Sequence, residues 1–178
     1  MTICKRLVID YCAIVRHRKS IVPQKRRGKQ VKNMDKRLLL ASPHMSDEGY
    51  ELEYIQDAFR KNWIAPLGEN VNEFEKAMGD YMGKGYPVAL SAGTAALHLA
   101  MILAGVKPGD TAFCQSLTFS ASANPIAYCG AKPVFIDSEH ETWNMDPAAL
   151  RRAFELYGAP KAVVVVHLYG NPAKLDEI

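Results

Sequence analysis

The chain predicts an α/β fold, a mostly parallel sheet flanked by helices, on three observations. From Tyr86 onward, short apolar runs alternate with helical segments. Residues 163–166 are consecutive valines, the pattern of a strand covered on both faces. The run Val88-Ala89-Leu90 leads into Ser91-Ala92-Gly93-Thr94-Ala95-Ala96-Leu97-His98, a small-residue turn that opens an alanine-rich helix reaching Ala104. Strands separated by helices in this way argue for parallel, right-handed strand–helix–strand units with ligands at the carboxyl ends of the strands.

Taken in order, Ser46-Asp47-Glu48 predicts a capped helix start, followed by Leu52, Ile55 and Phe59 on one face and Lys61 near the end. Val71, Phe74 and Met78 mark a second amphipathic helix that stops at Gly83 or Gly85. Between them lies the apolar loop Trp63-Ile64-Ala65-Pro66-Leu67-Gly68, which should pack on something. Next come a strand ending at Leu90, the helix after Gly93, a strand over 111–114 and a helix ending before Gly130. A strand over 133–136, a helix over 146–157 and a strand over 162–166 complete the alternation. Asp146-Pro147 reads as an N-cap with proline at the first helical position, and Asp137 as the start of a turn.

A hydrophobic content of 48% supports one core of ordinary size, and no stretch reads as a membrane span. The net charge of +3 conceals an asymmetry: residues 1–33 hold ten Lys or Arg against Asp10, a balance of +9 that leaves −6 for the remainder. A basic run can hold nucleic acid, which gives one reading of the chain as a non-catalytic binding or regulatory protein. The other reading makes 1–33 a disordered tail or an upstream start, with Met34 opening the folded chain. The apolar stretches in this segment are too short for a secretory signal. Cys4, Cys12, Cys114 and Cys129 form no Cys-x-x-Cys pair and no metal-like cluster with the histidines, which suits a reduced, cytoplasmic protein. Cys114 and Cys129 read as small buried residues rather than nucleophiles.

The chemistry concentrates at the turn. The first turn of a helix carries N–H groups without intrahelical partners and a partial positive charge, so it suits a phosphate. Gly93 allows close approach and Thr94 adds a hydroxyl. Neither Gly-x-x-x-x-Gly-Lys nor Gly-x-Gly-x-x-Gly is present, which leaves a phosphorylated cofactor, or small residues that merely pack against a strand. His167 follows the valine run and falls at the ligand-facing edge, either as a contact or as a satisfied structural histidine.

Several motifs then occur in one order: Ser91-Ala92-Gly93-Thr94-Ala95-Ala96-Leu97, Lys107-Pro108-Gly109-Asp110, the stretch 115–125 around Phe119, the stretch 130–137, Trp143-Asn144-Met145-Asp146-Pro147, and the stretch 166–172. The series resembles the DegT/DnrJ/StrS family of nucleotide-sugar aminotransferases, which use pyridoxal 5'-phosphate, over residues 38–178. Ser42-Pro43-His44-Met45 and the stretch 62–68 look most like members that aminate a UDP-linked 4-keto-6-deoxy amino sugar. The resemblance implies the large domain of an aspartate-aminotransferase-like, pyridoxal-phosphate-dependent transferase. Residues 1–33 would be tail, 34–85 the N-terminal helices and loop, and 86–178 the first part of the cofactor-binding domain.

With the cofactor phosphate on Gly93, Thr94 and Ala95, the resemblance implies the ring stacked on Phe119 and Trp63 and Ile64 toward a nucleotide-sugar substrate, which His167 would join from its place at the strand end. Glutamate would be the amino donor and a homodimer the assembly. A family dehydratase with histidine in place of the lysine is the alternative enzyme. No catalytic residue is assigned: the family places its Schiff-base lysine and the pyridine carboxylate beyond the point matched by Ile178, so the expectation is an amino-terminal part, inactive by itself.

Overall fold

The structure is a computed structural model describing residues 45–178. The readings of residues 1–33, of Met34 and of Ser42-Pro43-His44 lie outside the described residues. The described chain divides into two compact units, 45–89 and 90–178.

In the first unit, α1 spans Tyr50–Arg60 and α2 spans Glu69–Met82. The expected start at Ser46 is displaced: Gly49, in the left-handed region at φ 74°, is the N-cap. Ser46 instead braces the entry, its hydroxyl donating to Glu51 Oε2 at 2.6 Å and its N–H to Glu51 Oε1 at 2.9 Å. Helix α2 ends where Gly83 turns left-handed at φ 67° and donates its N–H to the Gly79 carbonyl, as expected. Lys61 joins the helices, reaching Asp57 at 2.8 Å and Glu69 at 2.6 Å. Neither helix contains a buried residue. The strand expected to end at Leu90 does not form; residues 86–90 are irregular. Pro87 has no N–H for a ladder, and the Ala89 N–H goes to the Glu75 carboxylate at 2.7 Å.

The second unit is built on a parallel sheet in the order β2-β1-β3, with β1 Thr111–Gln115, β2 Lys132–Ile136 and β3 Ala162–Val164. Around it lie α3 (Gly93–Leu103), α4 (Asn124–Tyr128) and α5 (Pro147–Tyr157), with short 3-10 turns at Ser120–Ser122 and Leu168–Gly170. The pleat divides the core in two. Ala112, Cys114, Ala162 and Val164 pack with Met101, Val106 and Ile126, on the side of α3 and α4. Phe113, Val134, Ile136 and Val165 pack with Met145, Leu150 and Ala153, on the side of α5. Asp146 caps α5 as expected, accepting from the Ala148 N–H at 2.8 Å. The valine run is shorter as a strand than expected, since Val165 and Val166 leave the ladder after Val164 and lead into the next loop. Cys114 is fully buried, and burial pushes its thiol up to about 11, which suits a core residue and not a nucleophile.

Candidate functional site

Because the strands are parallel, their carboxyl ends share one edge of the sheet. The opposite, amino edge carries the turns at 107–110, 130–132 and 161, tied together by Lys132 N–H to Asp110 O at 2.8 Å and Lys161 N–H to Thr111 O at 2.7 Å. Helix α3 reaches that amino edge through the turn after Leu103, so it runs against the strands and its N-terminus lies at the carboxyl edge. There it meets the 3-10 turn that follows β1.

At that N-terminus Ala92 is extended and offers no side-chain cap. Ala96 N–H to Ala92 O, at 3.1 Å, is the first bond of the helix. The N–H groups of Gly93, Thr94 and Ala95 therefore have no partner within the helix. All three residues are half-buried. Three convergent N–H donors, a neighbouring hydroxyl and the positive end of an eleven-residue helix fit a phosphate dianion.

Phe119 lies four residues beyond the end of β1, in the loop and not in the strand, and caps the turn Ser120–Ser122. It is 78% exposed, which leaves a ring at the carboxyl edge able to lie against a planar ligand. Thr118 and buried Ser122 exchange a hydroxyl hydrogen bond at 3.0 Å that fixes the loop.

His167, after β3, is 8% exposed, and its Nδ1 accepts the Ala173 N–H at 2.8 Å. That bond gives the ring a bracing role in the loop after β3. Trp63 and Ile64 belong to the other unit. The Trp63 indole donates to the Leu67 carbonyl across the loop, and a side chain at Gly68 would collide with that indole. Trp63, Ile64 and Leu67 are exposed and line an open cavity of about 580 Å³ with Asp57, Lys61 and Glu69. Within its own unit the loop thus stays largely exposed beside the ends of α1 and α2.

Two polar residues that the sequence reading passed over organise the edge, Gln115 and Asn144, both with 0% exposure. Gln115 Nε2 donates to Leu117 O at 2.8 Å, and its Oε1 accepts the Met145 N–H at 3.1 Å. Asn144 Nδ2 donates to Asn171 O at 2.9 Å, and its Oδ1 accepts the Leu168 N–H at 2.8 Å. The carboxamides thereby stitch together the loops that follow all three strands. Glu139 adds to the seam: the Thr142 hydroxyl foremost, then the Glu141 and Thr142 N–H groups and Lys174, hold its carboxyl down to about 2. Lys174 lies 2.7 Å from Glu141 and 3.5 Å from Glu139.

Lysines matter for any amine chemistry. In this unit Lys107, Lys132 and Lys161 stand at the amino edge, opposite the site, and Lys174 is held by two carboxylates. Among the described residues no group of His, Cys, Asp and Glu could hold a metal ion, and no helix is long and apolar enough to cross a membrane.

Residues 46–178 match the model of the DegT/DnrJ/EryC1/StrS aminotransferase family. The chain is 55% identical over 149 residues to EpsN of Bacillus subtilis, provisionally named a pyridoxal phosphate-dependent aminotransferase, covering 82% of this chain and 38% of EpsN. It is 40% identical over 142 residues to the GDP-perosamine synthase of Caulobacter vibrioides, covering 80% of this chain and 37% of that one. The fold superimposes on Spr1654 of Streptococcus pneumoniae, provisionally named a sugar aminotransferase and solved in its PLP form. The TM-score is 0.66 at 29% identity, over 76% of this chain and 33% of that one. The chain spans less than two fifths of the length of each of these relatives.

Proposed function

The chain belongs to the DegT/DnrJ/EryC1/StrS aminotransferase family, and from that premise we propose that its carboxyl edge is the phosphate and ring half of a pyridoxal 5'-phosphate site. The observation that carries the reading is the uncapped N-terminus of α3 on the same sheet edge as the exposed Phe119. The N–H groups of Gly93, Thr94 and Ala95 and the Thr94 hydroxyl take the phosphate. The Phe119 ring lies against the pyridine and sets its plane. His167 braces the loop beneath. When bound, the cofactor supplies an electron sink for moving an amino group.

The whole protein's reaction is transfer of an amino group from glutamate to the keto carbon of a nucleotide-linked 4-keto-6-deoxy sugar. The name of the Caulobacter relative, GDP-perosamine synthase, supports a nucleotide-linked sugar as product. Trp63 and Ile64 offer apolar contact to that substrate, in an assembly of two copies. Of the second unit's lysines, Lys107, Lys132 and Lys161 stand at the opposite edge and Lys174 is held by two carboxylates, so no transfer by the 178-residue chain is expected from these four.

Visible circular dichroism tests the binding half. Pyridoxal 5'-phosphate is achiral, so a cofactor band appears only when the protein holds it. The wild-type chain gives a band that Thr94→Val and Phe119→Ala each reduce; absence of a wild-type band overturns the reading. Mass spectrometry of a mixture with pyridoxal 5'-phosphate, glutamate and a UDP-linked 4-keto-6-deoxy sugar tests the rest. No amino sugar is expected from this chain, and its formation would contradict the assignment of the lysines.

A further inference from the structure

Tyr169 stands in the turn after β3, at the same carboxyl edge. It lies in the left-handed region at φ 52°, which disfavours a side chain, inside the turn Leu168–Gly170. The residue is 80% exposed. Left-handed non-glycine residues persist where their neighbours fix them, and such residues gather at functional sites. Here the neighbours are fixed from below. Asn144, fully buried, takes the Leu168 N–H on its Oδ1 and gives its Nδ2 to the Asn171 carbonyl, so one carboxamide grips the chain on both sides of Tyr169. A second Nδ2 bond to Thr142 Oγ1 at 3.2 Å, and the return bond from Asn171 Nδ2 to Thr142 O at 3.2 Å, anchor the clamp to the loop after β2. The turn closes with Gly170 N–H to His167 O at 3.1 Å and Asn171 N–H to Leu168 O at 2.9 Å. A buried polar residue with its groups satisfied thus holds an aromatic ring out of the core, on the edge that also presents Phe119 and the uncapped helix.

We propose that Asn144 is a positioning residue of this site and that the ring it positions, Tyr169, contacts a phosphate-bearing heteroaromatic ligand. The inference rests on the reading of the carboxyl edge as a phosphate site. Two sources share that chemistry, the pyridine of the cofactor and the base of a nucleotide-linked substrate. Asn144 touches neither; it acts through the turn.

The test titrates the 178-residue chain by calorimetry with pyridoxal 5'-phosphate and, separately, with uridine diphosphate, and follows hydrogen exchange at the Leu168 amide. Tyr169→Asn removes the ring and keeps a residue that tolerates the left-handed region. It is expected to weaken one probe about tenfold or more, a loss of about 1.4 kcal/mol, while Tyr169→Phe stays within about twofold of wild type. The probe affected names the source. Asn144→Leu is expected to speed Leu168 exchange and to weaken the same probe. If Asn144→Leu fails to fold, Tyr169→Asn carries the test. Unchanged binding of both probes by Tyr169→Asn overturns the ring assignment and leaves the phosphate reading standing. Unchanged Leu168 exchange in folded Asn144→Leu overturns the clamp. Ring-dependent binding of uridine diphosphate without binding of pyridoxal 5'-phosphate sinks the cofactor reading and supports the inference, whereas wild-type binding of neither probe overturns both.

Discussion

The two units use opposite means to become ordered. Residues 45–89 hold α1 and α2 by local devices, namely the Ser46–Glu51 brace, the left-handed Gly83 and the Lys61 ion pairs, and bury no helical residue. Residues 90–178 bury two apolar layers against a parallel sheet and fix its loops with buried carboxamides. Local signals are enough to define a helix, but holding side chains still for chemistry takes long-range burial. The candidate site accordingly stands on the second unit.

Truncating Phe113 should break the contrast most. The ring is fully buried, stacks edge-on with Phe154 at 5.4 Å, and belongs to the layer on the α5 side. Phe113→Ala is expected to lose roughly 3–5 kcal/mol in urea unfolding of the second unit. Gln115→Leu removes the acceptor of the Met145 N–H, and leaving a buried N–H unpaired should cost about 1–3 kcal/mol on the same assay.

Acid should act next, and locally. Glu139 is held down to about 2 against an ordinary value of 4.5, so its ionised form is favoured in the folded protein. Its contribution is complete above the unfolded value and fades as pH falls from 4.5 toward 2. Protection of the Thr142 amide, which donates to Glu139, taken relative to its intrinsic exchange rate at each pH, should fall through that window in wild type and show no such step in Glu139→Gln. The smallest effect belongs to the first unit: Phe74, 55% exposed on α2, should change stability by no more than about 0.5 kcal/mol when replaced by Ala. A loss there as large as that of Phe113 would mean the two units are not built differently.

The same contrast explains what could be read from the chain. The turn at Gly93-Thr94 was legible because a strand-like run, small residues and an alanine-rich helix are neighbours in sequence, and the cap at Asp146-Pro147 is equally local. The parallel sheet followed from alternation, and the family from ordered motifs that the match over 46–178 bears out. The strand at 86–90 failed because an apolar run becomes a strand only with a ladder partner, and Glu75 took the Ala89 N–H instead. Gln115 and Asn144 were missed because their partners lie far along the chain, Met145 and Asn171. The one available hint was a pair of uncharged carboxamides beside apolar runs. Asn144 lies two residues before the Asp146 cap, whose signal is local, whereas its own partners are not.

The central claim, a phosphate held by the first turn of α3, is tested most directly by Gly93→Asp. Gly93 is not among the residues with positive φ, so its backbone accepts a side chain, and a carboxylate at a helix N-terminus is favoured by the helix dipole. The variant should therefore melt no lower than wild type, while its negative charge occupies the place of the phosphate. Titration of both proteins with pyridoxal 5'-phosphate should give binding to wild type and none to Gly93→Asp. Equal binding by a folded Gly93→Asp would contradict the account, because the cofactor would then be held somewhere other than this helix.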